Sequence, residues 1–210
     1  MPAKKSQNQG TFTRLKEKEK GLRKNIIVDA AEKLFASKPF HKVSMRDIAK
    51  EAGISASAIY RYFPDQKSLF LESFSRGTTQ FKDELGGLMS RRDDFSIDMM
   101  ADNFIEYFSR KDQYFRMMIN FFLEGPVDAE MFEKLSDIER GLLNQFDALF
   151  SKMGIATDVR FYSHSLFAAL TGIVAIFRST PDKSEEEILA HRKRIANIVA
   201  SLFKHSIEKG

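Results

Sequence analysis

The chain has 210 residues, with 33 Lys plus Arg against 29 Asp plus Glu and neither Cys nor Trp. At 43% hydrophobic and 30% charged residues it can fill one or two ordinary cores, which argues against a disordered chain. The lack of cysteine excludes a disulfide framework, thiolate zinc and iron–sulfur sites, and a thiol nucleophile, and it suits a reducing compartment.

The first 24 residues hold eight bases and two acids but no apolar run that would serve a signal peptide. The longest apolar stretch, Leu166–Phe177, falls short of the about 18 residues that a membrane span requires. The expectation is a cytoplasmic protein with no membrane partner. Charge is unevenly spread: residues 1–67 carry 15 bases and 7 acids, residues 68–210 carry 18 bases and 22 acids. A basic amino-terminal module on a mildly acidic body points that module toward a polyanion.

Residues 1–22 are polar and basic and read as a flexible arm that continues into the first helix. Ile26, Ile27, Ala30, Ala31, Leu34 and Phe35 then recur at helical spacing, ending near Ser37 ahead of Pro39. Ser44 caps a second short helix with a buried face of Ile48, Ala49 and Ala52, and Gly53 ends it. Ser55 caps a third through Ile59, Tyr62 and Phe63, which Pro64 stops. Asp65 caps a fourth, carried by Leu69, Phe70, Phe74 and Phe81 toward Gly86-Gly87. Beyond it only helical period appears, over 95–110, 112–124, 128–152, 158–179 and 184–207, with turn signals at Gly125-Pro126, Gly154 and Pro181-Asp182. The fold class is therefore all-α, about nine helices. It divides into the arm (1–22), a three-helix unit (23–68) and a longer helical unit (69–210).

The two short helices around Ala52-Gly53-Ile54 form a helix-turn-helix, because a small residue and a glycine let the chain reverse sharply between steeply crossed helices. The second is the reader: Ser55, Ala56, Ser57 and Ala58 are short enough to admit the helix to a major groove. The run from Ser44 to Ser55 (SMRDIAKEAGIS), followed by Ile59-Tyr60-Arg61-Tyr62-Phe63-Pro64-Asp65 and Leu69, resembles the DNA-binding domain of the tetracycline-repressor (TetR) family. Ile27, Ala30, Ala31, Leu34 and Phe35 fit its first helix. The resemblance covers roughly residues 23–75 and departs at Gln66, where the family usually places a phosphate-binding lysine; Lys67 follows and could take that role.

By chemistry, Tyr60 and Ser44 suit phosphate oxygens, which set register. Arg46 and Arg61 carry forks that fit guanine bidentately, while Ala56 and Ser57 could touch base edges or thymine methyls. With Ser55 and Lys67 these make up the candidate DNA-binding set, Arg46 having a rival reading as a solvated surface residue.

One reading helix distinguishes few sites, so a homodimer on a double-stranded, palindromic operator is expected. Ser165, Ala168, Ala169, Gly172 and Ala175 form a small-residue ridge, and Ile195, Val199 and Leu202 lie on an apolar seam of the last helix. The resemblance implies a four-helix dimer interface from these helices; packing within one chain is the competing reading. Phe104, Phe108, Met117, Phe121, Phe122, Phe146, Phe167 and Thr171 are the pocket candidates for a small apolar or amphipathic effector, which the resemblance implies, although a Phe and Met stripe also suits plain core. Asn103, Asn120, Thr171 and Arg178 are the polar candidates. The implied mechanism is repression relieved by the effector; the alternative is a regulator or architectural protein of this fold with a closed core and a protein partner. No glycine-rich phosphate loop, Gly-x-Ser-x-Gly elbow or His-Glu-x-x-His helix occurs, and the four His have no ligand spacing. Neither catalysis, a metal nor another cofactor is expected.

Overall fold

The computed structural model describes residues 3–125, 128–178 and 181–209. Nine α-helices and one 3-10 turn are found among them, and no strand. The helices are α1 (Ala3–Ser37), α2 (Met45–Glu51), α3 (Ala56–Ile59), α4 (Gln66–Arg91), α5 (Ile97–Arg110), α6 (Asp112–Glu124), α7 (Ala129–Lys152), α8 (Val159–Ile176) and α9 (Glu185–Lys209). The basic amino-terminal segment is thus an extension of α1 from Ala3 onward and not an irregular arm.

Helix starts follow local chemistry. Asp47 N–H donates to Ser44 Oγ at 3.2 Å while Ser44 N–H donates to Asp47 Oδ2 at 3.0 Å, a reciprocal cap that satisfies two otherwise orphaned donors. Ser55, Asp65, Ser96 and Asp128 accept in the same way from Ala58, Ser68, Met99 and Met131. At the end of α2, Gly53 has φ +67°, Gly53 N–H donates to the Lys50 carbonyl and Ile54 N–H to the Ala49 carbonyl. This left-handed closure reverses the chain and sends Ile54 back onto the core.

Two elements are shorter than the sequence periodicity suggests. α3 covers only Ala56–Ile59, and the chain to Phe63 continues through tight turns closed onto the Ala58 and Ile59 carbonyls. α8 ends at Ile176, and Arg192 Nε takes the Phe177 carbonyl at 2.8 Å just past that end; Ser179 lies outside the described residues, as does Pro126 of the turn before α7.

A single apolar core runs through the molecule. In the head, Ile27, Ala31 and Phe35 of α1, Ile48 and Ala49 of α2 and Ile59 of α3 pack on Leu69 and Phe70 of α4. α4 leaves the head and enters the body, where Phe74, Phe81 and Leu85 meet α5, α6 and α7. α9 lies antiparallel along α5, pinned by Lys193–Glu106 at 2.7 Å, Asn197–Asp102 at 3.2 Å and Lys204–Asp98 at 2.6 Å. α8 packs on α7 through Arg160–Asp147 at 2.7 Å and Ser163 Oγ donating to Asp147 at 2.5 Å. Among the described helices α8 alone is long and apolar enough to cross a bilayer, at 18 residues and mean hydropathy 1.4. Its Leu166, Phe167, Leu170, Ile173 and Val174 are core residues, while Phe161 and Ile176 stand exposed on the outer face.

Candidate nucleic-acid interface and effector site

The head turns its polar residues outward and its apolar ones in. Ser44, Arg46, Ser55, Ala56, Ser57, Tyr60 and Arg61 are all exposed, whereas Met45, Ile48, Ala49 and Ile59 on the same two helices are buried. Tyr60 is 55% exposed, its phenol free of the core that holds its neighbour Ile59. Several of the candidates are already engaged: the Ser55 and Ser57 hydroxyls share a 3.2 Å hydrogen bond. Ser44 Oγ donates to Asp47 Oδ2 at 2.7 Å, so its proton belongs to the helix cap and not to a phosphate. Asp47 is correspondingly held below the usual carboxylate range, first by the Ser44 hydroxyl and then by the Ser44 N–H.

Lys67 departs further from expectation. Its ammonium lies 3.1 Å from Asp128 and 2.8 Å from Glu130, both at the start of α7, and these carboxylates raise its pKa. Gln66, where a phosphate-binding lysine was expected, instead donates its amide to the Phe40 carbonyl. Neither side chain is free to reach DNA in this arrangement. Sequence reasoning missed the acids because they sit some sixty residues downstream, in a turn with no local signature.

Other bonds tie head to body. Asn120 Nδ2 donates to the Phe35 and Ala36 carbonyls at the end of α1, and Phe40 N–H donates to Glu124 at 3.1 Å. Lys24 reaches Glu72 at 2.6 Å and lies 5.6 Å from the Phe63 ring centre, and Arg76 bridges Asp29 and Glu32. Halfway along α4, Tyr107 donates its hydroxyl to the Gly77 carbonyl at 3.0 Å, and Tyr114 shares a 2.7 Å hydrogen bond with Thr78. Burial raises the pKa of Tyr107 to about 12, so both phenols remain protonated bridges between α4 and the body.

The pocket candidates fall into three groups. Phe104, Phe146 and Met117 are fully buried, the two rings lying in a tight aromatic cluster with Phe81, Phe108 and Phe167. Phe108 and Phe167 also border an interior space of only about 10 Å³, with Phe81, Tyr114 and Met118. Phe121 and Phe122 border a second space of about 140 Å³ with Phe132 and Leu135, whose mouth is marked by Phe122 at 41% and Phe132 at 58% exposure. No cavity joins all eight residues in this state. Among the polar candidates, Asn103 bonds Glu84, Asn120 bonds the head and Arg178 pairs with Asp112. Thr171 Oγ1 is buried without a hydrogen-bond partner among the described residues.

The proposed dimer face is mixed. Ser165 and Ala168 are exposed, Ala169 and Ala175 are half-buried, and a side chain at Gly172 would meet nothing within 4 Å. Phe161, Ile176, Ile198 and Leu202 are exposed alongside them, at 57–75%. Ile195 and Val199 instead pack against the chain's own core, because the inner face of α9 is spent on α5. Among the described residues no cluster of His, Asp and Glu is spaced to hold a metal ion.

A nine-helix protein with an amino-terminal helix-turn-helix matches a known class. Residues 27–73 match the family described as bacterial regulatory proteins, tetR family. The match is confined to the amino-terminal head and the start of α4, and there the chain resembles this family. It is 32% identical over 106 residues to an HTH-type transcriptional regulator of Haemophilus influenzae, an alignment that spans 49% of this chain and 51% of that one. It thus spans only about half the length of this curated relative, and less of some others. A fatty acid metabolism regulator protein of Bacillus subtilis is 24% identical over 152 residues, covering 69% of this chain and 77% of the relative. Among solved structures, the fatty acid degradation regulator FadR from Bacillus halodurans superposes with a TM-score of 0.70 at 18% identity, over 85% of this chain and 94% of the other. FadR from Bacillus subtilis, in complex with stearoyl-CoA, gives 0.68 at 19% identity, over 84% and 97%.

Proposed function

We propose that this chain is a DNA-binding transcription regulator acting in the bacterial cytoplasm. It binds a two-fold related operator as a homodimer and, as a repressor, leaves it when a small apolar or amphipathic effector occupies the body. The single observation behind the DNA reading is the outward array of Arg46 on α2, Ser57 on α3 and Tyr60 and Arg61 in the turns that follow, with the inner faces of both helices locked into the head. Residues 23–68 form the reading head and residues 69–210 the ligand-binding and dimerising body. The effector reading draws on the stearoyl-CoA complex of the Bacillus subtilis relative and on the apolar mouth at Phe122 and Phe132.

In this mechanism ligand and DNA stabilise different spacings of the two heads, so each weakens the other reciprocally. α4 is the connecting rod, since it begins beside the α3 turns and ends in the body. A second reading is favoured by the interior space of only about 10 Å³: the core stays closed and a protein partner controls the heads. Selection of bound duplexes from a random pool, with and without stearoyl-CoA, separates the two. Paired half-sites about 34–36 Å apart that lose occupancy with the ligand support the first reading. Indifference to the ligand supports the second, and no enrichment at low salt removes both.

A further inference from the structure

A cleft of about 700 Å³ opens where the carboxyl ends of α5 and α8 meet the amino ends of α6 and α9. It is separate from the aromatic spaces described above: its walls are Arg110, Arg116, Arg178 and Arg192, with Ile188 and Leu189 on one side. Arg192 needs explaining. It is only 6% exposed, it donates through Nε to the Phe177 carbonyl at 2.8 Å and through Nη1 to Ser109 Oγ at 2.7 Å, and it forms no ion pair among the described residues. Both partners are neutral. Arginine is seldom buried without a carboxylate, because withdrawing a guanidinium from water is costly unless an opposite charge replaces the lost hydration.

Glu106, Asp112, Glu185 and Glu186 also line the cleft, and none of them pairs with Arg192. Asp112 is shared between Arg116 and Arg178, and Glu106 bonds Lys193 at 2.7 Å. Arg110 pairs outside the cleft with Glu84 at 2.7 Å. Glu185 and Glu186 stand exposed in the first turn of α9, where the helix dipole favours them. Four guanidiniums and four carboxylates thus line the cleft, and the most deeply buried of the guanidiniums, Arg192, has no carboxylate partner among the described residues. Burial, followed by repulsion from Arg178, lowers the pKa of Arg192.

We propose that this cleft is a binding site for an amphipathic oxyanion, a carboxylate or phosphate monoester on a short alkyl chain, with Arg192 as its charge partner. Arg178 supplies the second cation, and Ile188 and Leu189 meet the chain. The volume lies within the about 300–1,000 Å³ usual for small-molecule sites. A guanidinium retains charge at any physiological pH and presents a planar fork suited to either anion. The inference does not depend on DNA binding or on an effector in the aromatic core.

Isothermal titration calorimetry of the full chain without DNA tests it, using sodium octanoate, octyl phosphate and n-octanol as the neutral control. At least one anion should bind roughly tenfold or more tightly than octanol, equivalent to about 1.4 kcal/mol. Which of the two binds better identifies the head group. Arg192→Gln should weaken that binding by a similar factor, while Arg140→Gln, an exposed arginine on α7 outside the cleft, leaves it within about twofold. Arg178→Gln, at a more exposed position, gives the same readout if Arg192→Gln fails to fold. Octanol binding as tightly as both anions, no heat from either anion, or wild-type affinity in both cleft arginine variants overturns the proposal.

Discussion

Lys67 Nζ at the start of α4 lies 2.8 Å from Glu130 Oε2 at the start of α7, with Asp128 Oδ2 at 3.1 Å on its other side. The lysine nearest the expected phosphate position is thus neutralised by the chain's own body. Replacing both acids, in an Asp128→Asn, Glu130→Gln variant, frees one positive charge beside the reading head. Operator affinity should rise, and the slope of log affinity against log salt should steepen by about one contact. Fluorescence anisotropy across a salt series reads both; an unchanged slope would show that Lys67 stays out of reach of DNA.

The same cluster sets a pH dependence. Hydrogen bonds from Lys134 and then Lys67 hold the Glu130 carboxyl at about 2, against an ordinary value of 4.5. Asp128 is lowered first by the Met131 N–H and then by Lys67. A carboxyl depressed on folding stabilises above its unfolded value, and that contribution disappears as pH falls toward the folded one. Wild type should therefore lose melting temperature faster than Glu130→Gln between pH 4.5 and about 2, the two curves converging at the acid end. The group is exposed, so the difference is small, and parallel curves would remove the argument.

On the reading face, Tyr60, Arg61 and Ser57 are exposed but chemically unlike. A phenol on a phosphate carries no base information, so Tyr60→Phe should weaken all duplexes alike. A guanidinium or hydroxyl on base edges discriminates, so Arg61→Ala or Ser57→Ala should cost about 1–3 kcal/mol on the preferred site and less on others. Equal losses on every sequence from all three would reassign Arg61 and Ser57 to the backbone.

Local features were legible and distant ones were not. Caps at Ser44, Ser55 and Asp65, the Gly53 reversal and the helical spans beyond 97 follow from short-range chemistry, which a single sequence displays. The engagement of Lys67 and the inward rotation of Ile195 and Val199 depend on which helix lies opposite, and an apolar or basic residue does not name its partner. Arg192 was missed for the same reason: its burial comes from α5 and the end of α8, far apart in sequence. Gly77 sits inside a helical pattern with nothing nearby to mark the ring that covers it.

That ring gives Gly77 a sharp test. Mid-helix Gly→Ala normally stabilises by about 0.5–1 kcal/mol, but a Cβ at position 77 would overlap the Tyr114 ring. Tyr114 is itself fixed by Thr78 and packed among Phe74 and Phe108, so it has little room to retreat. Gly77→Ala should therefore destabilise, by about 1–3 kcal/mol in chemical denaturation. Tyr107→Phe, which removes the phenol's additional hydrogen bond to the Gly77 carbonyl, should cost about 1 kcal/mol. A stabilised Gly77→Ala would mean that α4 and α6 can separate cheaply at this crossing.

Assembly is tested on the outer faces of α8 and α9. Ile198 and Leu202 are 57% and 65% exposed, one turn apart, and their substitution leaves the chain's own core untouched. Exposed apolar residues of this kind next to an open strip at Gly172 mark a face that another helix can approach closely. Ile198→Glu combined with Leu202→Glu places like charges on both copies at a self-complementary interface. Sedimentation should shift from dimer to monomer, with operator affinity falling by about 10²-fold or more as one head loses its partner. Circular dichroism and melting temperature of the monomer should report intact helices. A variant that stays dimeric and binds DNA normally would place the interface elsewhere, with the apolar strip at the mouth near Phe122 and Phe132 the next surface to test.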